Sequence, residues 1–481
     1  MTSAAFVNRS NLSLFVGALS FLVMYMMGFY QTVMPAAAWQ VTSVAVLMAI
    51  WWATEALPVA VTALLPVIVL PLLGFSDVRT LGSSYAHPLI FLFLGAFILA
   101  LGLERWNLHR RLALNILLRT GTEGSRLIAG FMLIAALLSM GMTNTSTTMM
   151  LLPIALSVSA IISEREDVSE QHKQAFTVAL LLGVAFGATI GGMATLIGTP
   201  PNALLAAFVS EQYGIDIGFS DWLVIGLPVT IFMLPVTWWV LTRLVFKFEV
   251  PASEAVNQHV KQMTLELGAM TQSEKRVGMV FLLVVLAWAF RKPIVAATGM
   301  SSLSDAGIAL IGALLLFIIP ARSQASDKLM TWDVAKTLPW AVLLLFGGGL
   351  SLAAAVSQSG LAVWLGEMLS PVSVLGLFAL MLAISFTVVY LTELTSNLAT
   401  TATFLPIVAA VAVQLDLNPL LLCVPVALAA SCAFMLPVAT APNAIVYSSG
   451  RFQVADMARA GMRLNIVAGL FITAFCYVAL S

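Results

Sequence analysis

Two short polar runs interrupt otherwise apolar stretches of this chain, and both carry the same chemistry. The first reads Thr143-Asn144-Thr145-Ser146-Thr147-Thr148 and is followed by Leu152-Pro153-Ile154. The second reads Ser396-Asn397-Leu398-Ala399-Thr400-Thr401 and is followed by Leu405-Pro406-Ile407. Asn144 and Asn397 are 253 residues apart, as are Pro153 and Pro406, so one ungapped alignment covers both landmarks. A second matched pair lies downstream: Gly198-Thr199-Pro200-Pro201-Asn202-Ala203 and Ala439-Thr440-Ala441-Pro442-Asn443-Ala444, 241 residues apart. Pro and Gly inside an apolar span free backbone groups, which survive only where they face protein, water or ligand. Helix N-termini created by such breaks favour an anion, and helix C-termini offer carbonyls to a hard cation. The amides of Asn144 and Asn397, with the hydroxyls of Thr143, Thr145 and Ser396, are therefore candidate donors to carboxylates, with sodium held by nearby carbonyls. None of the four blocks contains Arg or Lys. A doubly charged anion must then be neutralised by helix ends and co-bound cations, because desolvating it unpaired costs several kcal/mol per charge. That is a physical reason for coupling.

Small polar residues also serve ordinary helix–helix contacts in membranes. One such cluster alone reads as packing; two at the same register, each followed by a Pro-Asn break, read as a site. Ser139, Thr195 and Thr392 stand equally well as interface residues. Glu393, three residues before Ser396, is an ionisable group inside an apolar segment and so a functional candidate. It could bind a cation, shuttle a proton or cap backbone amides of the hairpin, with capping or structural support preferred. Glu55 reads as an interfacial structural residue, and Trp51-Trp52 as part of an aromatic belt.

The elements that must position these residues are membrane spans. The chain has 481 residues, 60% hydrophobic and 9% charged, against about 25% charged in a soluble domain. Spans are expected near residues 11–34, 37–57, 58–76, 86–104, 175–212, 222–246, 277–290, 303–320, 339–357, 419–448 and 461–480. Residues 127–162 and 372–412, each interrupted by a polar tip, are expected as re-entrant hairpins with arms short of the ~20 residues a span needs. With the N-terminus cytoplasmic, 19 of the 22 Lys and Arg fall inside and only Arg79, Arg291 and Lys292 outside, as the positive-inside rule requires. Two full crossings per hairpin would give the same sidedness. Five spans separate the hairpins, so the two copies have opposite orientations, the inverted-repeat plan of many secondary transporters.

Other classes find little support. Net charge is zero, with no basic block for nucleic acid or a polybasic lipid patch. Cys423, Cys432 and Cys476 lie in apolar segments and read as inert thiols; the four histidines are scattered, and no phosphate-binding G-x-x-x-x-G-K-[ST] loop occurs. No H-E-x-x-H or G-x-S-x-G motif suggests an enzyme, and the acidic residues near His172 read as a solvated loop. A channel would not need two inverted broken hairpins. No cleavable signal peptide is expected, and the bacterial cytoplasmic membrane is the expected location.

The residues from Trp51 to Pro58 with Val61-Thr62-Ala63-Leu64-Leu65-Pro66, both hairpin tips and both Thr-containing Pro-Asn breaks resemble the divalent anion:sodium symporter family of dicarboxylate, citrate and sulfate carriers. The resemblance runs nearly end to end. It implies an all-α polytopic protein of about eleven transmembrane helices plus two re-entrant hairpins, a homodimer, and elevator-like motion of a transport domain against a scaffold. The family's paired Ser-Asn-Thr motifs contact substrate carboxylates; here they read Thr143-Asn144-Thr145, which keeps the hydroxyl, and Ser396-Asn397-Leu398, which loses the third. Thr199 and Thr440 would add substrate contacts. The implied sodium sites are Ser139, Thr143, Asn144 and Gly198, and Thr392, Thr395, Asn397 and Ala439, largely through backbone carbonyls. Sodium is the only inorganic partner implied, with no organic cofactor.

The corresponding domain map assigns 1–126 and 277–371 to scaffold helices, 127–246 and 372–481 to the two halves of the transport domain, and 247–276 to a solvated cytoplasmic connector. Sodium-coupled symport of a di- or tricarboxylate such as succinate or malate leads; sodium-independent exchange and sulfate symport remain open.

Overall fold

A computed structural model describes residues 3–300, 302–323, 326–369 and 376–480. Among these, eight helices are long and apolar enough to cross a membrane, or nine if Gln272–Ala289 and Arg291–Thr298, bent by 75°, count as one. The second half's hairpin was expected to begin at residue 372; its first four residues fall outside the described ones.

Each polar run supplies the N-cap and first turn of the second helix in a helix–turn–helix pair. The first pair is Gly124–Ser139 and Asn144–Ser163, the second Leu377–Leu391 and Asn397–Gln414. The arms are unequal: the second arms, expected to be too short to span, have 20 and 18 residues and are long enough to cross. Both Pro-Asn blocks break a span. Glu170–Met193 ends before the break and Pro200–Tyr213 starts after it; Leu420–Ala430 and Ala441–Tyr447 repeat the pattern. Pro at the first helical turn explains why each helix restarts where it does, since its missing N–H would be unpaired there anyway.

The internal repeat extends to individual hydrogen bonds. Ser139 Oγ donates to Asn144 Oδ1, and Thr392 Oγ1 donates to Asn397 Oδ1 at 2.9 Å. Thr143 Oγ1 caps Ser146 N–H at 3.1 Å, as Ser396 Oγ caps Ala399 N–H at 3.1 Å. Asn202 Nδ2 bridges its break to the carbonyls of Gly192 and Thr195, and Asn443 Nδ2 to those of Ala433 and Leu436, the same positions shifted by 241. The two halves are thus built by one local code.

The hairpins and broken helices pack on one another together with Phe219–Trp239 and Val454–Leu480. Around them, Pro88–Arg105 packs on Asp305–Ile318, and Trp340–Gln358 on the helices between 59 and 83.

Several expectations change. The span expected at 58–76 is two short helices, Val59–Thr62 and Leu65–Leu72; Tyr85 Oη donates to the Ala63 carbonyl at that kink. Trp52 is no belt residue: it is 1% exposed, with its indole N–H on Val59 O, while Trp51 reaches Leu14 O. The stretch read as a solvated connector holds helix Glu254–Glu266, which buries Val256 and Val260 and hydrogen-bonds the first hairpin through His259 and Ser157. A two-stranded pairing of Pro320–Ser323 with Ser326–Lys328 departs from a purely helical fold.

Candidate functional site

Both turns and both breaks open onto one cavity of about 580 Å³, within the roughly 300–1,000 Å³ of small-molecule pockets. All seven residues expected to contact substrate line it: Thr143, Asn144, Thr145, Thr199, Ser396, Asn397 and Thr440. Four helices begin there, with Thr143, Thr199, Ser396 and Thr440 at their N-cap positions. Four others end beside them, at Ser139, Met193, Leu391 and Ala430. Aligned peptide dipoles place partial positive charge at the first set and partial negative charge on the carbonyls of the second. Among the described residues, no basic side chain lines the cavity. Its capacity for an anion therefore resides in amides, hydroxyls and helix ends, and its capacity for a cation in nearby oxygens.

The oxygens of the first half converge around two glycines. A Cβ on Gly192 would lie 2.6 Å from Asn144 Oδ1 and 2.9 Å from Gly198 O; one on Gly198 would lie 2.5 Å from Gly192 O and 2.9 Å from Ser139 O. Glycine is required because the backbones approach too closely for any side chain. An oxygen-only donor set of this kind suits a hard cation. In the second half the equivalent positions are Ala433 and Ala439, so the two oxygen clusters are not identical copies.

The residues expected around sodium are placed differently from one another. Gly198 and Ala439 line the cavity; Ser139 and Thr392 lie behind it, fully buried, each donating to the Oδ1 of its half's asparagine. Thr395 is not brought to the cavity: its hydroxyl bonds Leu391 O and Thr400 Oγ1 within its own hairpin. Thr195, equally open between roles, donates to Met140 O at 2.6 Å and ties the first break to the first hairpin.

Glu393 caps, but not the hairpin. Its Oε1 accepts from Phe434 N (2.7 Å), Met435 N (2.8 Å) and Asn465 Nδ2 (2.7 Å), and Oε2 from Leu436 N (3.0 Å). An ionised carboxylate has about four acceptor sites, and four donors occupy them. Glu393 is 3% exposed and does not line the cavity. It satisfies the amides that the second break leaves without helical partners.

Sequence reasoning passed over the opposite wall. Phe93, Phe97, Glu104 and Val342, on helices outside the repeat blocks, and Thr337, in the turn before Trp340–Gln358, also line the cavity. Glu104 is the last residue of the span expected at 86–104 and carries no motif that would set it apart.

Comparison with known proteins fixes the lineage. A family profile described as "Sodium:sulfate symporter transmembrane region" matches residues 9–478. The chain belongs to this family. That confirms the resemblance read from the motifs, and it makes the chain a multi-pass membrane transporter of a symporter family rather than an enzyme. A protein named sodium-dependent dicarboxylate transporter SdcS, from Staphylococcus aureus strain USA300, is 40% identical over 473 residues, covering 97% of this chain and 90% of the relative. The SdcS of strain NCTC 8325 is equally similar. Among solved structures, the Alcanivorax borkumensis YdaH transporter, described as having an unusual topology, superposes with a TM-score of 0.55 at 13% identity, covering 90% of this chain and 98% of that one. At that identity the likeness concerns the fold alone.

Proposed function

We propose that this protein is a sodium-coupled symporter of C4-type dicarboxylates such as succinate or malate, working as a homodimer in the bacterial cytoplasmic membrane. One observation carries the reading: two asparagine-tipped turns and two Pro-Asn breaks share a cavity that, among the described residues, has anion-binding donors but no fixed positive charge. A dianion there needs co-bound cations, and the oxygens around Gly192 and Gly198 offer a place for one. Relatives at 40% identity named sodium-dependent dicarboxylate transporters support the same cargo.

The hairpins are read as re-entrant because each turn meets a break between two helices of one apolar segment, which supports tips at mid-depth. The hairpins and broken helices then form the mobile body of an elevator, and the helices from 1–126 and 277–371 the scaffold. The N-terminus faces the cytoplasm and the C-terminus the exterior, which keeps 19 of the 22 basic residues inside.

Uptake of radiolabelled succinate into proteoliposomes tests the proposal. An inward sodium gradient should drive accumulation that choline does not, and excess malate should compete while sulfate does not. Uptake indifferent to sodium but dependent on internal dicarboxylate would replace symport by exchange. Competition by sulfate alone would replace the cargo.

A further inference from the structure

The cavity has one ionisable lining side chain among the described residues, and it is acidic. Glu104 is the penultimate residue of helix Pro88–Arg105 and borders the same space as Asn144 and Asn397; every other lining residue is apolar, a hydroxyl or an amide. Helix stability does not explain the choice. The C-terminal turn of a helix carries partial negative charge and favours a cation, so a carboxylate there is mildly unfavourable. Nor is it neutralised by its neighbour: the Arg105 guanidinium bonds Thr331 Oγ1 at 3.3 Å and lies 5.5 Å from the centre of the Trp106 ring. Among the described residues Glu104 has no ion-pair partner.

A fixed negative charge in a low-dielectric cleft concentrates cations and repels anions. In a cavity that binds an anion by neutral donors, such a charge opposes the cargo until cations are bound. We infer that Glu104 is a specificity-determining residue that enforces coupling: its charge excludes the dianion from the sodium-free cavity and draws sodium in. The inference rests on the sodium-coupled dicarboxylate reading above. It assigns to the wall facing the repeats a role that the repeats themselves lack, because their tips bind without any net charge.

The test is a pair of affinities measured on the purified full-length protein by thermal stabilisation, with choline replacing sodium at constant ionic strength. Sodium alone is titrated first, then succinate at saturating sodium. In Glu104→Gln the half-saturating sodium concentration should rise and the apparent succinate Kd should fall, each by about three- to thirtyfold, as expected for a unit charge acting across a partly hydrated cavity. Glu104→Ala should repeat both shifts without depending on the fit of an amide, and Glu104→Asp should behave as wild type. Opposite signs are diagnostic, since a merely structural defect weakens both ligands together. Two unchanged affinities, or two that weaken in parallel, would overturn the inference while wild type still responds to succinate and sodium. A wild type that shows no sodium-dependent stabilisation by succinate would overturn the proposed function and this inference with it.

Discussion

Replacing Glu393 with alanine removes the acceptor for three backbone amides, one buried and two part-buried, and for one buried side-chain amide at once. A buried donor left unpaired costs about 1–3 kcal/mol. Four of them would sum to roughly 4–12 kcal/mol if nothing relaxed, and water entering the space left by the side chain brings the expectation to about 4 kcal/mol. Scaled by an unfolding entropy of about 2 cal/mol/K per residue, that is an apparent melting temperature lower by about 4 °C. Glu393→Gln should cost less but not nothing, because its carbonyl keeps one set of partners while its NH₂ confronts the donor that the other oxygen accepted from. The cap holds Phe434 to Leu436 just ahead of Thr440, so both variants should also lose succinate transport in proportion to their instability. Detergent-solubilised melting curves with and without saturating sodium and succinate make the measurement. The reasoning fails if Glu393→Ala melts within a degree of wild type, or if it keeps its stability while the sodium requirement alone changes. The second result would make the carboxylate a cation ligand.

Two further substitutions probe the cavity itself. Gly198→Ala puts a methyl 2.5 Å from Gly192 O and 2.9 Å from Ser139 O, all backbone that cannot rotate away; stability should fall by about 1–3 kcal/mol and stabilisation by sodium should disappear in the same melting assay. Asn144→Ala and Asn397→Ala should both abolish sodium-driven succinate uptake, yet differ in stability. Ser139 Oγ donates to Asn144 Oδ1, whereas Thr392 Oγ1 also reaches Ala430 O at 2.8 Å and keeps a partner. Asn144→Ala should therefore melt lower by the equivalent of about 1 kcal/mol more, and equal melting would refute the assignment of those hydroxyls.

How much of this was legible in the sequence follows from what a repeat preserves. The tips and breaks recur because the same backbone problem, restarting a helix inside a span, is solved twice with the same residues, so Asn144 and Asn397 or Asn202 and Asn443 announce each other. A wall contributed once has no such echo, and Glu104, Phe93 and Thr337 are invisible until the fold brings them opposite the tips. Thr395 shows the converse. The resemblance implies a sodium site that includes it, while its hydroxyl bonds Leu391 O and Thr400 Oγ1 within its own hairpin.

The limit of the repeat is also where its chemistry becomes asymmetric. The offset of 253 that pairs the asparagines pairs Glu393 with Met140. In the first half the gap between helices runs only from residue 194 to 199, and Thr195 secures it by donating to the carbonyl of Met140. In the second half the gap runs from 431 to 440, long enough to leave three successive amides without helical acceptors. A carbonyl already present in the hairpin turn suffices for one donor; a run of donors calls for an acceptor with several lone pairs, which a carboxylate supplies in one side chain. Asn465 on the last helix completes its shell, and Gly461, one turn earlier, lets that helix come close enough to do so: a Cβ there would lie 2.6 Å from Met435 Cα. Glu393, Asn465 and Gly461 thus form one unit required by the longer break, which is why a carboxylate stands in the turn of the second hairpin and not in that of the first.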